Sequence, residues 1–153
     1  MNQMKILAAL MLVLSIFLTA CDKEDVLTNE DILVKNGWKV TSLIMTDEDG
    51  SYEAVNEMEA CELDDIMLFE KEDNKFSRDQ GASKCYEEEQ QFETIGFWAL
   101  SSNGEKLILS LIDDDAVNMD ILEISETQIK LHWEESPEDD LLETCTLTLQ
   151  PAN

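Results

Sequence analysis

The chain has 153 residues, 44% of them hydrophobic, and it carries 35 acidic against 10 basic side chains, a formal charge of −25 at pH 7. This length suits one domain with one core, and a surface this acidic repels nucleic acid and anionic lipid headgroups, which excludes both as partners. Acidic composition can also indicate disorder, but the regular alternation of apolar residues in several segments favours a folded protein.

The first 20 residues have the organisation of an export signal. Lys5 is followed by an uncharged run over residues 6–21, which is shorter than the roughly 20 apolar residues of a membrane-spanning helix. The run ends in Leu18-Thr19-Ala20-Cys21, which resembles the lipobox of a bacterial lipoprotein. The resemblance implies cleavage before Cys21 and acyl chains on that cysteine, through which the protein would associate with a membrane. The alternative is an ordinary secretory signal with Cys21 as a free thiol.

A short charged tether follows the lipobox. The segment Asp22-Lys23-Glu24-Asp25 is similar to the lysine-plus-acidic signal that directs lipoproteins of the Bacteroidota phylum to the outer face of the outer membrane. That resemblance implies display at the cell surface, whereas a plain solvated linker would leave the protein facing the periplasm. We therefore divide the chain into a signal peptide (1–20), a lipidated tether (21–27) and one domain (28–153). Since Lys5 is the only charged residue lost on cleavage, 9 basic and 35 acidic side chains would remain, a charge of −26.

Three cysteines remain after Cys21, in a setting that is expected to be oxidising, so only one disulfide can form among them. Cys61 and Cys85 lie in polar, turn-like surroundings, whereas Cys145 shares a strand face with Leu147 and Leu149. We predict a disulfide between Cys61 and Cys85 and a buried free thiol at Cys145.

The domain is predicted to open with a short helix. Thr28 can cap its first turn with Asp31 as the reciprocal partner, and Gly37 ends it. Trp38 then begins the first strand, where we expect it to plug one end of a barrel; the alternative is a residue that stacks on a ligand.

Eight segments from Trp38 onward alternate between apolar and polar residues and are predicted to be strands. They cover residues 38–45, 65–69, 75–78, 94–100, 105–112, 116–124, 128–133 and 141–149. Two long acidic connections, 46–64 and 79–93, separate some of them. Consecutive short strands with no helical period after Gly37 indicate an all-β fold, an eight-stranded antiparallel up-and-down barrel with a short N-terminal helix.

A barrel of eight strands either is filled by its own side chains or holds one small ligand. Alternation assigns a set of large apolar residues to the interior, although a shift of one residue would reverse the facing of any strand. These cavity candidates are Trp38, Val40, Ile44, Ile66, Leu68, Ile95, Phe97, Leu107, Leu109, Met119, Ile121, Leu131 and Trp133.

Several motifs also resemble the small lipocalin-like domains of bacterial lipoproteins. These are Trp38 after a short helix, the C-x-x-D-D-x-x-x-F segment from Cys61 to Phe69, Gly81-x-x-x-Cys85 and Gly96-Phe97-Trp98. The resemblance covers roughly residues 31–149. It departs at Asp73-Asn74, where such domains usually carry a glycine, but asparagine tolerates the left-handed conformation.

The sequence offers no constellation for catalysis or for a metal. His132 is the only histidine and alternates with Leu131 and Trp133, so it faces outward if they face inward. No G-x-S-x-G turn, zinc-ligand spacing or EF-hand spacing is present; the acidic runs 47–50 and 113–115 lack the order of ligands that calcium requires. We expect no enzyme activity, no cofactor and no metal.

The sequence therefore predicts a lipid-anchored envelope lipoprotein whose barrel binds a small hydrophobic ligand. The alternative is a structural or interaction module with a filled barrel, whose acidic loops contact another envelope protein.

Overall fold

A computed structural model describes residues 27–135 and 143–152. The predicted signal peptide and lipidated Cys21, like residues 141–142 of the last predicted strand, lie outside these ranges. The described chain contains helices α1 (Asn29–Lys35) and α2 (Ala60–Leu63) and nine strands. The strands are β1 (Gly37–Asp47), β2 (Gly50–Glu53), β3 (Ile66–Phe69), β4 (Lys75–Asp79), β5 (Phe92–Leu100), β6 (Lys106–Leu111), β7 (Val117–Ile124), β8 (Ile129–Glu135) and β9 (Glu143–Pro151).

The strands form one antiparallel sheet that closes into a barrel. Each strand from β3 to β8 pairs with the next along the chain, and β9 returns to pair with β1 from Trp38 to Thr46. Among the described strands, closure leaves no long free edge for another chain to extend. The predicted eight-stranded up-and-down barrel is confirmed.

One position in the barrel wall is shared by two short strands, which the sequence did not predict. Both β2 and β3 pair with the same side of β1, β2 with Ile44–Asp47 and β3 with Gly37–Trp38. Residues 54–65, which we call the bridging segment, leave the wall after β2 and return at β3. The stretch expected to be irregular, 46–64, therefore contains a strand, a 3₁₀ turn at Ala54–Asn56 and α2.

A carboxylate supports β1 where the ladder is interrupted. Glu53 Oε1 accepts a hydrogen bond from the backbone N–H of Leu43 at 2.7 Å, and the Ser42 hydroxyl donates to Glu53 Oε2 at 2.9 Å. A side chain thus takes the place of a neighbouring strand's carbonyl, because a backbone donor without a partner would be costly.

Helix α1 lies across one end of the barrel, which we call the base. Thr28 and Asp31 form the predicted capping box. Asn29 Nδ2 donates to the Gly104 carbonyl in the β5–β6 turn at 3.0 Å. Lys35 pairs with Glu126 in the β7–β8 turn. The helix ends at Lys35 rather than at Gly37, which is the first residue of β1; a side chain at Gly37 would collide with Ile66.

The base half of the barrel is filled by side chains. Trp38 is fully buried, and its indole Nε1–H donates to the Leu33 carbonyl at 2.9 Å, so it is the predicted plug. Phe69 packs against Phe76 with the two rings tilted by 33° at a centroid distance of 5.1 Å, and it meets Trp98 edge-on at 6.0 Å. Each such side chain contributes about 1.5–3 kcal/mol by burial. Other buried members of this core are Leu107, Met119, Ile129, Leu131 and Leu149.

The turn at Asp73-Asn74 adopts the left-handed conformation without a glycine. Asp73 has φ of 59° and Asn74 has φ of 52°. Asparagine and aspartate visit this region more readily than other residues with a side chain. The prediction that Asn74 adopts the left-handed conformation is confirmed, and Asp73 adopts it as well.

Candidate functional site

A cavity of about 280 Å³ lies between the inner wall and the bridging segment, at the end of the barrel opposite the base, which we call the rim. The barrel supplies Val40, Met67, Arg78 and Ile95, and the bridging segment supplies Met58, Glu62 and Asp65. Four of these seven lining residues are apolar and three are charged. We call it the rim cavity; its composition is that of a small-molecule site, with an apolar wall and few polar groups.

An ion pair lines the rim cavity. Arg78 Nη1 lies 3.8 Å from Asp65 Oδ2, and Arg78 Nη2 lies 3.4 Å from Glu93 Oε2. Among the described residues, Asp65 Oδ1 and Arg78 Nε are buried without a hydrogen-bond partner. Burial raises the pKa of Asp65 above its ordinary value; Arg78 opposes this rise, and Asp64 and Glu62 reinforce it.

A disulfide fixes the bridging segment over the cavity. Cys61 and Cys85 are bonded as predicted, with their Cα atoms 5.3 Å apart, which joins the bridging segment to the loop between β4 and β5. Glu59 lies beside these two sulfurs, but the sulfurs are bonded to each other and offer no thiolate to a metal.

The first aspartate of the C-x-x-D-D motif explains why the two loops meet there. Asp64 Oδ2 accepts hydrogen bonds from the backbone N–H of Ala82 and of Ser83, both at 3.0 Å, and from the Ser83 hydroxyl at 2.9 Å. These bonds lower the pKa of Asp64, the Ser83 hydroxyl most of all. Gly81, with φ of 61°, lets the backbone of the second loop approach, because a Cβ there would collide with the Asp64 carbonyl.

Nine of the thirteen cavity candidates lie with the interior core. Four are buried, namely Trp38, Leu107, Met119 and Leu131. Five are partly buried and pack against them, namely Val40, Ile95, Leu109, Ile121 and Trp133. Of these nine, Val40 and Ile95 line the rim cavity. The others belong to the filled part of the barrel or, in the case of Trp133, to a separate pocket beside Val117.

Four candidates do not face the interior. Ile44 and Phe97 are 39% and 48% exposed. Ile66 and Leu68 approach Gly37, which lies on the outer face because its neighbour Trp38 points inward. The inward residues of β3 are instead Met67 and Phe69.

Two β-bulges account for the errors in β1 and β5. The register of β1 against β9 shifts between Val40 and Ser42, so the face reverses and Ile44 turns outward. In β5, Ile95 is the extra residue opposite β4, which places Trp98 rather than Phe97 inside. Alternation alone cannot locate such an insertion.

Sequence reasoning missed five of the seven residues of the rim cavity: Met58, Glu62, Asp65, Met67 and Arg78. A signal existed for Arg78. It is the only arginine in the chain, and in Phe76-Ser77-Arg78 it shares a strand face with an aromatic residue. A lone arginine in phase with an apolar face is a candidate polar anchor.

A larger cavity, about 610 Å³, is a groove outside the wall rather than part of the interior. It runs between the end of α1, the end of β3 and Phe92. Leu68 lies in it, in agreement with the outward facing of that residue.

Charge is unequally divided between the two ends of the described barrel. Five lysines lie at or next to the base, namely Lys35, Lys71, Lys75, Lys106 and Lys130, whereas Lys39 lies in the wall strand β1 and helps to lower the pKa of Asp64. The rim carries Arg78 and Lys84 against acidic residues of the segments 47–49, 53–65, 87–93, 113–115 and 134–135. Among the described residues, negative charge is therefore concentrated at the rim.

His132 and Cys145 stand apart from the rim cavity. His132 Nδ1 lies 3.1 Å from the Thr146 hydroxyl on the outer face, as alternation predicts. Cys145 is the predicted buried free thiol, and burial, reinforced by Glu135 and Glu143, raises its thiol pKa, so the thiolate is disfavoured. Within the described residues, no helix is long and apolar enough to cross a bilayer.

The fold is a closed antiparallel barrel with a cavity at its rim, and sequence comparison gives the family. A family model described as a lipocalin-like domain matches residues 33–131. The chain belongs to this lipocalin-like domain family. Among solved structures, it is similar to a complex of bovine odorant binding protein with a selenium-containing odorant. That match has 11% identity and a TM-score of 0.45, and covers 87% of this chain and 78% of the other. No curated protein matches the sequence significantly.

Proposed function

We propose that this protein is a lipid-anchored lipoprotein of the outer membrane that binds a small hydrophobic molecule in the rim cavity. The observation that carries the proposal is the apolar wall of that cavity, formed by Val40, Met58, Met67 and Ile95. The filled base excludes a ligand from the lower barrel, so the ligand must lie under the bridging segment.

The binding proposal is tested by filling the cavity. We expect Ile95→Trp to weaken binding of 1-octanol at least tenfold, because an indole would occupy the space between Val40 and Met67. Isothermal titration calorimetry on the chain from residue 22 onward, which keeps every described element, measures the effect. Phe97→Trp is the matched control, since Phe97 is 48% exposed on the outer face of the same strand. Equal affinities for the two variants would contradict the location, and no octanol binding by the parent protein would refute the function.

The anchor is proposed from the lipobox, since Cys21 lies outside the described residues. We expect Cys21→Ser to move the protein from the membrane fraction to the soluble fraction, because stable anchoring requires more than one acyl chain and this residue would carry them all. Ultracentrifugation of lysates with immunodetection measures the partition. Cys145→Ser is the control, because Cys145 is buried in the barrel. Sedimentation of the Cys21→Ser protein with membranes would show that the anchor is assigned wrongly.

Display at the cell surface rather than toward the periplasm is proposed from Lys23 and Glu24-Asp25. Protease added to intact cells distinguishes the two orientations, because only a surface-displayed protein is cleaved.

A second candidate function is favoured by the disulfide. The Cys61–Cys85 bond joins the two acidic loops at one place and makes a rigid negative surface that suits a basic envelope protein. Native mass spectrometry of the purified protein discriminates between the two. A co-purifying apolar molecule supports the ligand carrier, whereas protein without one, together with no octanol binding, supports the interaction module.

A further inference from the structure

The polar side of the rim cavity holds more negative than positive charge. Glu62 and Asp65 line the cavity with Arg78, and Glu93 also contacts the Arg78 guanidinium. One cation therefore faces three carboxylates, a net charge of −2 for these four residues. The other rim cation, Lys84, donates to the Glu89 carbonyl and does not line the cavity.

Arg78 is already engaged and is poorly placed to receive an anionic ligand. Its two terminal nitrogens are directed at Asp65 and Glu93, at 3.8 Å and 3.4 Å. Arg78 Nε has no hydrogen-bond partner among the described residues, but a ligand carboxylate that reached it would lie beside both of these acidic side chains. Like charges at this distance repel strongly when partly desolvated.

Two carboxylates retain capacity to accept hydrogen bonds. Asp65 Oδ1 is buried without a partner among the described residues, and only 18% of the side-chain surface of Asp65 is exposed. Glu62 uses Oε2 to accept from the backbone N–H of Glu59 at 2.7 Å, and no described group bonds its other oxygen. The raised pKa of Asp65 has the same origin, because its carboxylate is desolvated and only partly compensated by Arg78. Acceptors of this kind are satisfied by a donor that brings positive charge.

We propose that the rim cavity selects small apolar molecules that carry a protonated amine, and that it discriminates against fatty acids of the same length. The ammonium lies between Asp65 and Glu62, and the tail lies against Val40, Met67 and Ile95. The acidic rim around the cavity attracts such cations and repels anions before contact. This inference rests on the proposed function and defines the ligand class of the same cavity.

The test compares three probes that share one tail: octylamine, 1-octanol and octanoate. Calorimetry at pH 7 on the chain from residue 22 onward is expected to give octylamine at least tenfold tighter binding than octanol, with octanoate weakest. Raising the salt concentration should weaken octylamine binding and leave octanol binding unchanged, because salt screens the charges.

Three variants locate the charge recognition. We expect Asp65→Asn to weaken octylamine binding about tenfold and to change octanol binding by a much smaller factor, because octanol carries no charge. Glu62→Gln, on the exposed helix α2, should weaken octylamine binding by a smaller factor. Glu48→Gln is the matched control, because it removes one rim carboxylate from the β1–β2 turn outside the cavity. Far-ultraviolet circular dichroism reports whether each variant is folded.

The outcomes separate this inference from the function on which it rests. Octanoate binding as tight as octylamine binding would make Arg78 the anchor and would overturn the amine assignment while the apolar site stands. Octylamine binding that is equal in Asp65→Asn and in the parent protein would also overturn it. Failure of all three probes to bind would refute the proposed function itself.

Discussion

Replacing Trp38 with alanine is expected to lower the free energy of unfolding by about 4 kcal/mol, a larger loss than we expect from any other single substitution. The indole is fully buried at the base, so its removal leaves a cavity in the core to which Leu33, Leu107 and Leu131 also belong. It also leaves the Leu33 carbonyl without the 2.9 Å hydrogen bond from Nε1–H. Since small domains are stable by about 5–15 kcal/mol in total, much of the margin would be lost. Urea denaturation followed by circular dichroism measures the change.

Two control variants separate the contributions of apolar burial and of the indole hydrogen bond to the stability that Trp38 provides. Phe97→Ala removes an aromatic ring that is 48% exposed and is expected to cost less than about 1 kcal/mol. Trp38→Phe keeps most of the apolar volume and loses the donor, so its cost should lie between those of the two alanine variants. A Trp38→Ala protein as stable as the parent would show that Trp38 does not close the base.

Removing the disulfide with Cys61→Ser and Cys85→Ser is expected to cost about 3 kcal/mol in the chain-entropy model. The bond closes a loop with a sequence separation of 24 residues, which restricts the unfolded chain. The same bond fixes α2 over the rim cavity, so we also expect weaker binding of octanol. Chemical denaturation with and without a thiol reductant measures the stability, and calorimetry measures the binding.

The reductant supplies an internal control for this prediction. The parent protein should lose the same stability on reduction as the double variant loses by substitution, and the double variant should not respond further. Cys145→Ala removes a thiol that forms no disulfide, so it should retain the response of the parent protein to reductant. A double variant as stable as the oxidised parent would contradict the assigned role of the bond.

Local patterns predicted most of the barrel. These patterns are short-range properties of the sequence, and each had one structural interpretation. They are the capping pair Thr28 and Asp31, the alternation within each strand, and the polar surroundings of Cys61 and Cys85. The strand count differed by one because Gly50–Glu53 is too short and too polar to stand out as a strand. It forms because β1 extends to Asp47 and offers it a partner.

The facing of several strands and the identity of the cavity residues depended on long-range pairing. The bulge after Val40 is defined by how β1 pairs with β9, and the extra residue Ile95 is defined by how β5 pairs with β4. The rim cavity likewise brings Met58 and Glu62 from the bridging segment against Arg78 of β4. The periodicity of apolar residues does not show that the bridging segment contacts β4. The C-x-x-D-D motif and the lone arginine were the only sequence features that distinguished these segments from ordinary strands and loops.

Because β2 and β3 share one position in the barrel wall, the residues that hold the barrel together are largely different from those that would determine which ligand it binds. Strands β2 and β3 are each fixed to β1 by their own ladders, so the residues of 54–65 other than Cys61 and Asp64 can change without moving any strand out of register. Much of the polar chemistry of the cavity resides in that exchangeable stretch. A homologue could therefore acquire a different ligand by substitution within about a dozen residues, while the cylinder beneath, with its tryptophan plug, stays the same.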